Sequence, residues 1–236
     1  MKKLLITFLF ILFTFTSNIV WSDDFDKGFK AYNSGDFAAA VKWFTLAAEQ
    51  GDADAQFNLG MVYWDGEGVS QDIKAAMKWF TLAAEQGDAD AQNILGVMYD
   101  EGEGVSQNIK AAMKWFKLAA EQGDAHAQYN LGAIYHNGES VPRDIKTATK
   151  WFKLAAEQGH ADAQNILGVM YDEGEGVSQN IKAAMKWFKL AFEQGDADAQ
   201  KTLEVYQDVD NILENDRGFF TKIIDLIKLG FKNIFS

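Results

Sequence analysis

The residues of this chain that could do chemistry are three histidines, a series of acidic loops and a few serines. His126, His136 and His160 lack the close spacing that brings imidazoles onto one metal. His160 follows a glycine, at a position suited to capping a helix, so its expected role is structural. The loops "DGEGVS" and "DEGEGVS" cluster carboxylates. A calcium loop, however, alternates Asp or Asn ligands and ends on a distant Glu, and these do not. Solvated loops are the expectation. No serine begins S-x-x-K, and G-x-S-x-G is absent. The chain has no cysteine, which excludes a thiol nucleophile, a disulfide and a cysteine metal site. No catalytic residue, metal or cofactor is expected.

The elements behind these residues are repetitive. "WF" recurs at Trp43, Trp79, Trp115, Trp151 and Trp187, and "EQG" ends at Gly51, Gly87, Gly123, Gly159 and Gly195, always 36 residues apart. The 31 residues from Ala89 to Ala119 return verbatim from Ala161 to Ala191. A catalytic site is normally assembled once, from unlike parts, whereas a duplicated module suits stacking. A period of this size with helical patterning inside it signals paired helices in a solenoid.

One unit shows the physical logic. Asp52 is a natural N-cap, because its carboxylate can accept the free amides of the first turn. Ala55, Leu59, Val62 and Tyr63 recur at helical spacing and predict one buried face. Gly60 lies inside that helix at a cost of about 1 kcal/mol relative to alanine, so close approach of a neighbour is expected there. A loop from Asp65 to Gln71 follows, with Gly66 and Gly68 free to take positive φ. Ser70 or Asp72 can cap the second helix. Ile73, Ala76, Met77, Phe80 and Ala83 form its inner stripe. Ala75, Trp79 and Leu82 form another, expected to face the next unit. Gly87 ends the helix as a left-handed residue.

These residues carry a resemblance. The pattern A-x-x-x-L-G-x-x-Y-x-x-G-x-G-V, then K-A-x-x-W-F-x-x-A-A-x-x-G, resembles the Sel-1-like repeat family. It is met at Ala55 to Gly87, Ala91 to Gly123, Ala127 to Gly159 and Ala163 to Gly195. The last has Phe192 for an alanine, and the third has Ser140 for a loop glycine, with Pro142 stiffening the turn. The preceding segment is similar to a tetratricopeptide repeat, with Gly28, Gly35, Phe37, Ala40, Phe44 and Ala47 at that motif's spacing. After Gly195, "DADAQKTLEVYQ" begins another first-type helix with Leu203 and Glu204 in place of the L-G pair, as suits an end cap.

The resemblance implies an all-α, right-handed superhelical solenoid of stacked helix pairs. The expected organisation is a signal peptide (1–22), a tetratricopeptide-like unit (23–51), repeats at 52–87, 88–123, 124–159 and 160–195, a capping helix (196–210) and an amphipathic helix (217–236). It also implies partner binding on a concave side lined by the first helices. The lining positions are Asp54, Phe57, Met61 and Trp64; Asp90, Asn93, Val97 and Asp100; His126, Tyr129, Ala133 and His136; and Asp162, Asn165, Val169 and Asp172. Exposed aromatics such as Phe57, Trp64 and Tyr129 are poor choices for a passive surface. Aromatic stations alternating with acidic ones suit a protein or peptide segment with apolar and basic side chains. The competing class is an envelope hydrolase acting on β-lactam or peptidoglycan, described for cysteine-rich members; this chain lacks the cysteines. A secreted factor acting on another cell is the third reading.

The ends differ from the repeats. Lys2 and Lys3, the apolar run Leu4 to Phe15, and Val20 and Ser22 read as an export signal cleaved after Ser22, with a periplasmic or secreted product. The alternative is an uncleaved anchor, although the apolar run is shorter than a spanning helix needs. Residues 217–236 place Phe219, Phe220, Ile223, Ile227 and Phe231 opposite Asp225, Lys228 and Lys232. That segment is expected to cap the last repeat or to lie on a membrane surface. The formal charge of −12 opposes nucleic-acid binding.

Overall fold

A computed structural model describes residues 23–138, 140–206 and 218. The expected signal peptide, the end of the capping helix (207–210) and the amphipathic segment, apart from 218, lie outside the described residues. The chain divides into two compact units, Met1–Pro142 and Arg143–Ser236.

The first unit holds α1 (23–33), α2 (Phe37–Glu49), α3 (Ala53–Asp65), α4 (Ile73–Glu85), α5 (Ala89–Glu101), α6 (Ile109–Glu121) and α7 (Ala125–Asn137). The second holds α8 (Ile145–Glu157), α9 (Ala161–Glu173), α10 (Ile181–Glu193) and α11 (197–206). Among the described residues there is no strand. Each unit is an all-α stack of helical hairpins, as the repeats predict.

Local chemistry sets the helix ends. Asp52 accepts the amide of Ala55 at 2.8 Å and Asp72 that of Ala75 at 3.0 Å, so Asp72 caps α4. His160 caps α9 through Nδ1, accepting from Ala163 at 3.3 Å. Gly66 closes α3 at φ 76°, and Gly87 follows α4 at φ 101°. A side chain at either position would be strained.

Packing within each unit depends on one repeated contact. A Cβ at Gly60 would meet the Phe80 ring at 2.6 Å, one at Gly96 the Phe116 ring at 2.4 Å, and one at Gly168 the Phe188 ring at 2.6 Å. Gly28 and Phe44 make the same pair at 2.6 Å, which extends the device to the tetratricopeptide-like segment. The glycine lets an aromatic ring lie flush on the first helix of its own hairpin. The ring is then shut in from the far side: Phe80 packs in one cluster with Ala91, Leu95 and Met98 of α5. Phe80 is fully buried, a gain of roughly 1.5–3 kcal/mol for a side chain of this kind.

The second stripe runs the other way from expectation. Trp79 packs against the cluster of α2 and α3, on the preceding side, and Trp115 likewise against that of α4 and α5. Adjacent helix positions lie about 100° apart. With Phe80 committed to Gly60 and α5, Trp79 is turned to the opposite flank.

A buried amide reinforces each joint. Gln56 donates to the carbonyl of Ala48 at 3.1 Å, where α2 has run out of partners for its last carbonyls. Its own Oε1 accepts from Gln86 at 2.8 Å, just past α4. Gln92 repeats this with Ala84 and Gln122, and Gln164 with Ala156 and Gln194. One side chain thus ties three helix ends together.

The glycine contact can be tested directly. Alanine at Gly96 gains about 1 kcal/mol of helix propensity but forces a methyl into the Phe116 ring, at about 1–3 kcal/mol. Gly96→Ala should therefore lower stability in urea unfolding. Combined with Phe116→Leu, it should cost less than the two single changes added together. A stabilised Gly96→Ala protein, or strict additivity, would contradict the contact.

Candidate functional site: the face of the first helices

The first helices α3, α5 and α7 follow one another in the first unit and offer their outer faces. Asp54, Asp90 and His126 are exposed there, while Asn93, Val97, Asp100, Tyr129, Ala133 and His136 are half-buried. Asn130 of α7 donates to Asn93 of α5 at 3.3 Å, which brings these two faces together. In the second unit α9 presents Asp162 and Val169 exposed, and Asn165 and Asp172 half-buried.

The aromatic stations need correction. Phe57, Met61 and Trp64 are half-buried and pack against the cluster built on Phe80. The Phe57 and Trp64 rings lie 5.9 and 6.1 Å from the Phe80 ring, centroid to centroid. They flank a ring that the glycine has drawn onto α3, so part of each is spent on the core. Tyr129 is likewise half-buried rather than exposed.

The acidic positions crowd one another at the helix ends. Burial pushes the Asp88 carboxyl up, and the Asp90 and Asp54 carboxylates add to it. Burial also pushes Asp52 up, with Asp54 and Asp26 contributing. Asp100, near the C-terminus of α5, is raised by burial and by Glu101 beside it. The N-terminal ends of α3 and α5 therefore carry a row of carboxylates whose mutual repulsion a cation would relieve.

Other features went unread in the sequence. Gln56, Gln92, Gln128 and Gln164 are buried polar residues, and their signal was the invariant glutamine after "A-x-A" in every full unit. The cavity beside Asp100, lined also by Gln107, Ile109, Asn130 and Asn137, had no signal in the repeat pattern. Among the described residues, no group of three or more His, Cys, Asp or Glu could hold a metal ion. None of the described helices is long and apolar enough to cross a membrane. What the face offers chemically is hydrogen-bond acceptors and negative charge on a rigid helical support.

Comparison with known proteins places this geometry. The Sel1 repeat model matches residues 32–52, 53–88, 89–124, 125–160 and 161–196, so it also reaches into the tetratricopeptide-like segment. The crystal structure of a Sel1 repeat protein from Oxalobacter formigenes is similar with TM-score 0.68 and 40% identity, covering 72% of this chain and 49% of that one. That of c5321, a protective antigen present in uropathogenic Escherichia coli strains, is similar with TM-score 0.73 and 35% identity, covering 76% and 39%. An exopolysaccharide production negative regulator of Rhizobium leguminosarum bv. viciae is 44% identical over 50 residues, 21% of this chain and 19% of that protein. The chain thus spans half or less of the length of these relatives. Sel1-repeat proteins serve in general as protein-interaction scaffolds, and this chain, matched from residue 32 to residue 196, belongs to the Sel1 repeat family.

Proposed function

We propose that this protein is a non-catalytic scaffold that holds a basic segment of a partner protein on the face of α3, α5 and α7. One observation carries the reading: Asp54 and Asp90 stand exposed beside Asp88, whose carboxyl is raised by burial first and by these two neighbours in addition. Carboxylates grouped in this way leave room for a lysine or arginine to contribute. The half-buried Phe57 and Trp64 supply an apolar border for its stem.

The same reading puts the protein outside the cytoplasmic membrane. Lys2, Lys3 and the apolar run to Phe15 support it. A protective antigen among the structural relatives is compatible with it.

A photo-reactive side chain at His126 tests both parts in intact cells. It should capture an envelope or extracellular protein, and Asp54→Asn with Asp90→Asn should lower the recovery up to about tenfold, more at low salt. Equal recovery from the double variant would count against the face, as would equal capture from Lys114 on the exposed side of α6. A cytoplasmic partner would overturn the export reading.

The raised Asp88 carboxyl, buried and beside Asp90 and Asp54, also predicts a pH effect. A carboxyl raised in the fold gives stability below its unfolded pKa and loses it as pH rises through the folded value. Asp88→Asn keeps the cap, since Asn108 and Asn180 already cap helices here. The variant should have the higher urea midpoint at pH 7, with the advantage vanishing as pH falls below the ordinary carboxylate range. A wild-type protein more stable than the variant at pH 7 would contradict a carboxyl raised by burial and its acidic neighbours.

A further inference from the structure

The joint between α10 and α11 is open. A cavity of about 610 Å³ lies there, over Met185, Phe192 and Leu203 and beside Glu204. Three repeat lengths earlier, these positions are Met77, Ala84, Leu95 and Gly96. In the first unit α6 fills the corresponding place. Phe116 lies against Gly96, and Trp115 packs on the cluster that holds Ala84 and Leu95. Ala84 is 2% exposed and Leu95 is fully buried, whereas Phe192 is 43% exposed and Leu203 only half-buried. The glutamine of the joint differs likewise. Gln92 is buried and accepts from Gln122, just past α6. Gln200 is exposed and donates to Glu204 at 2.9 Å instead. What the open joint lacks is a second helix to complete the hairpin that α11 begins.

The sequence supplies such a segment in register. The second helices α2, α4, α6, α8 and α10 are capped by Asp36, Asp72, Asn108, Asp144 and Asn180. One repeat length further stands Asp216, another residue suited to capping. The buried positions of α10 are Ala184, Phe188 and Ala191. Their counterparts one repeat on are Phe220, Ile224 and Ile227, and Ile223 stands at the place of Trp187. All four remain apolar.

The departures from the repeat compensate one another. A Cβ at Gly168 would meet the Phe188 ring at 2.6 Å, so a glycine and a ring go together. In the last hairpin the glycine is replaced by Glu204 and the ring by the smaller Ile224. Lys228 stands at the place of Ala84, which clusters with Ala91 and Leu95 of the next first helix. A lysine there gives the hairpin the polar outer side of a terminal unit.

We propose that residues 217–229 dock into the cavity between α10 and α11 as the second helix of a final hairpin, with Ile223 and Ile224 in the places that Trp115 and Phe116 hold in α6. The stack then runs one hairpin beyond residue 196, where the Sel1 repeat match stops. This docking is independent of what binds on the face of α3, α5 and α7.

The chain has no cysteine, so an engineered pair reports the contact alone. In the full chain, Glu204→Cys with Ile224→Cys should close a disulfide within one molecule under mild oxidation. Glu204→Cys with Ile223→Cys, about 100° around the helix, should close at least about tenfold more slowly. A second variant needs no oxidation. Ile224→Asp should lower amide protection in α10 and α11 about tenfold or more, the loss of one buried branched side chain, and leave α3 to α6 unchanged. No closure, or equal closure of the two pairs, would overturn the proposal. Closure only between two molecules would overturn it in favour of a second copy in the groove. Unaltered protection of α10 and α11 in Ile224→Asp would overturn it too. If that variant at the same time lost binding to phosphatidylglycerol vesicles, the segment would belong to a membrane surface instead.

Discussion

The contact on which the rest depends is a phenylalanine ring lying flat where a side chain would otherwise project. Gly60 and Phe80, Gly96 and Phe116, and Gly168 and Phe188 each join the two helices of one hairpin. The glycine costs helix propensity, and the ring it admits is fully buried or nearly so. That burial is completed only when the next first helix closes over the ring, as α5 closes over Phe80. A hairpin of this sequence has an apolar side that it cannot cover alone. The requirement for a neighbour is therefore written into each hairpin rather than into any long-range feature.

The buried glutamines belong to the same logic. A joint between helix ends leaves carbonyls that no helix can satisfy internally. Gln56 and Gln92 reach those carbonyls and are themselves held by the next glutamine along. The glutamine in the joint is buried and hydrogen-bonded on both sides, so the side chains on the outer face can vary while it persists. Phe57, Asn93 and Tyr129 differ at one position of the repeat, while Gln56, Gln92 and Gln128 beside them do not.

Period, caps and the need for close approach at Gly60 were legible in the sequence, because each depends on local chemistry at fixed spacing. Which neighbour a stripe meets was not. Trp79 and Phe80 are both apolar and adjacent, and periodicity gives the faces of a helix without naming what lies against each. The role of Gln56 was not legible, because a polar letter on a helix reads as surface without its partners at Ala48 and Gln86. The partial burial of Phe57 and Trp64 was not legible, because the pull of the Phe80 ring toward α3 depends on packing among three helices. The alternation of acidic stations was legible as letters. The mutual effect of Asp54, Asp88 and Asp90 required their positions in space.

The verbatim duplication shows how one sequence serves different ends. In the second unit Tyr206 of α11 stacks on Phe188, and the corresponding position in the first unit is Ile134 of α7. Differences of use come from the neighbouring helix, which is what a nearest-neighbour architecture permits. Hydrogen exchange on the full chain carrying Phe116→Ala tests that architecture most directly. Removing the ring, at roughly 3–5 kcal/mol, should lower amide protection in α5, α6 and α7 and leave α9 and α10 as protected as in the wild type. Loss confined to α6, or loss spread evenly through α9 and α10 as well, would contradict hairpins that are held by their immediate neighbours.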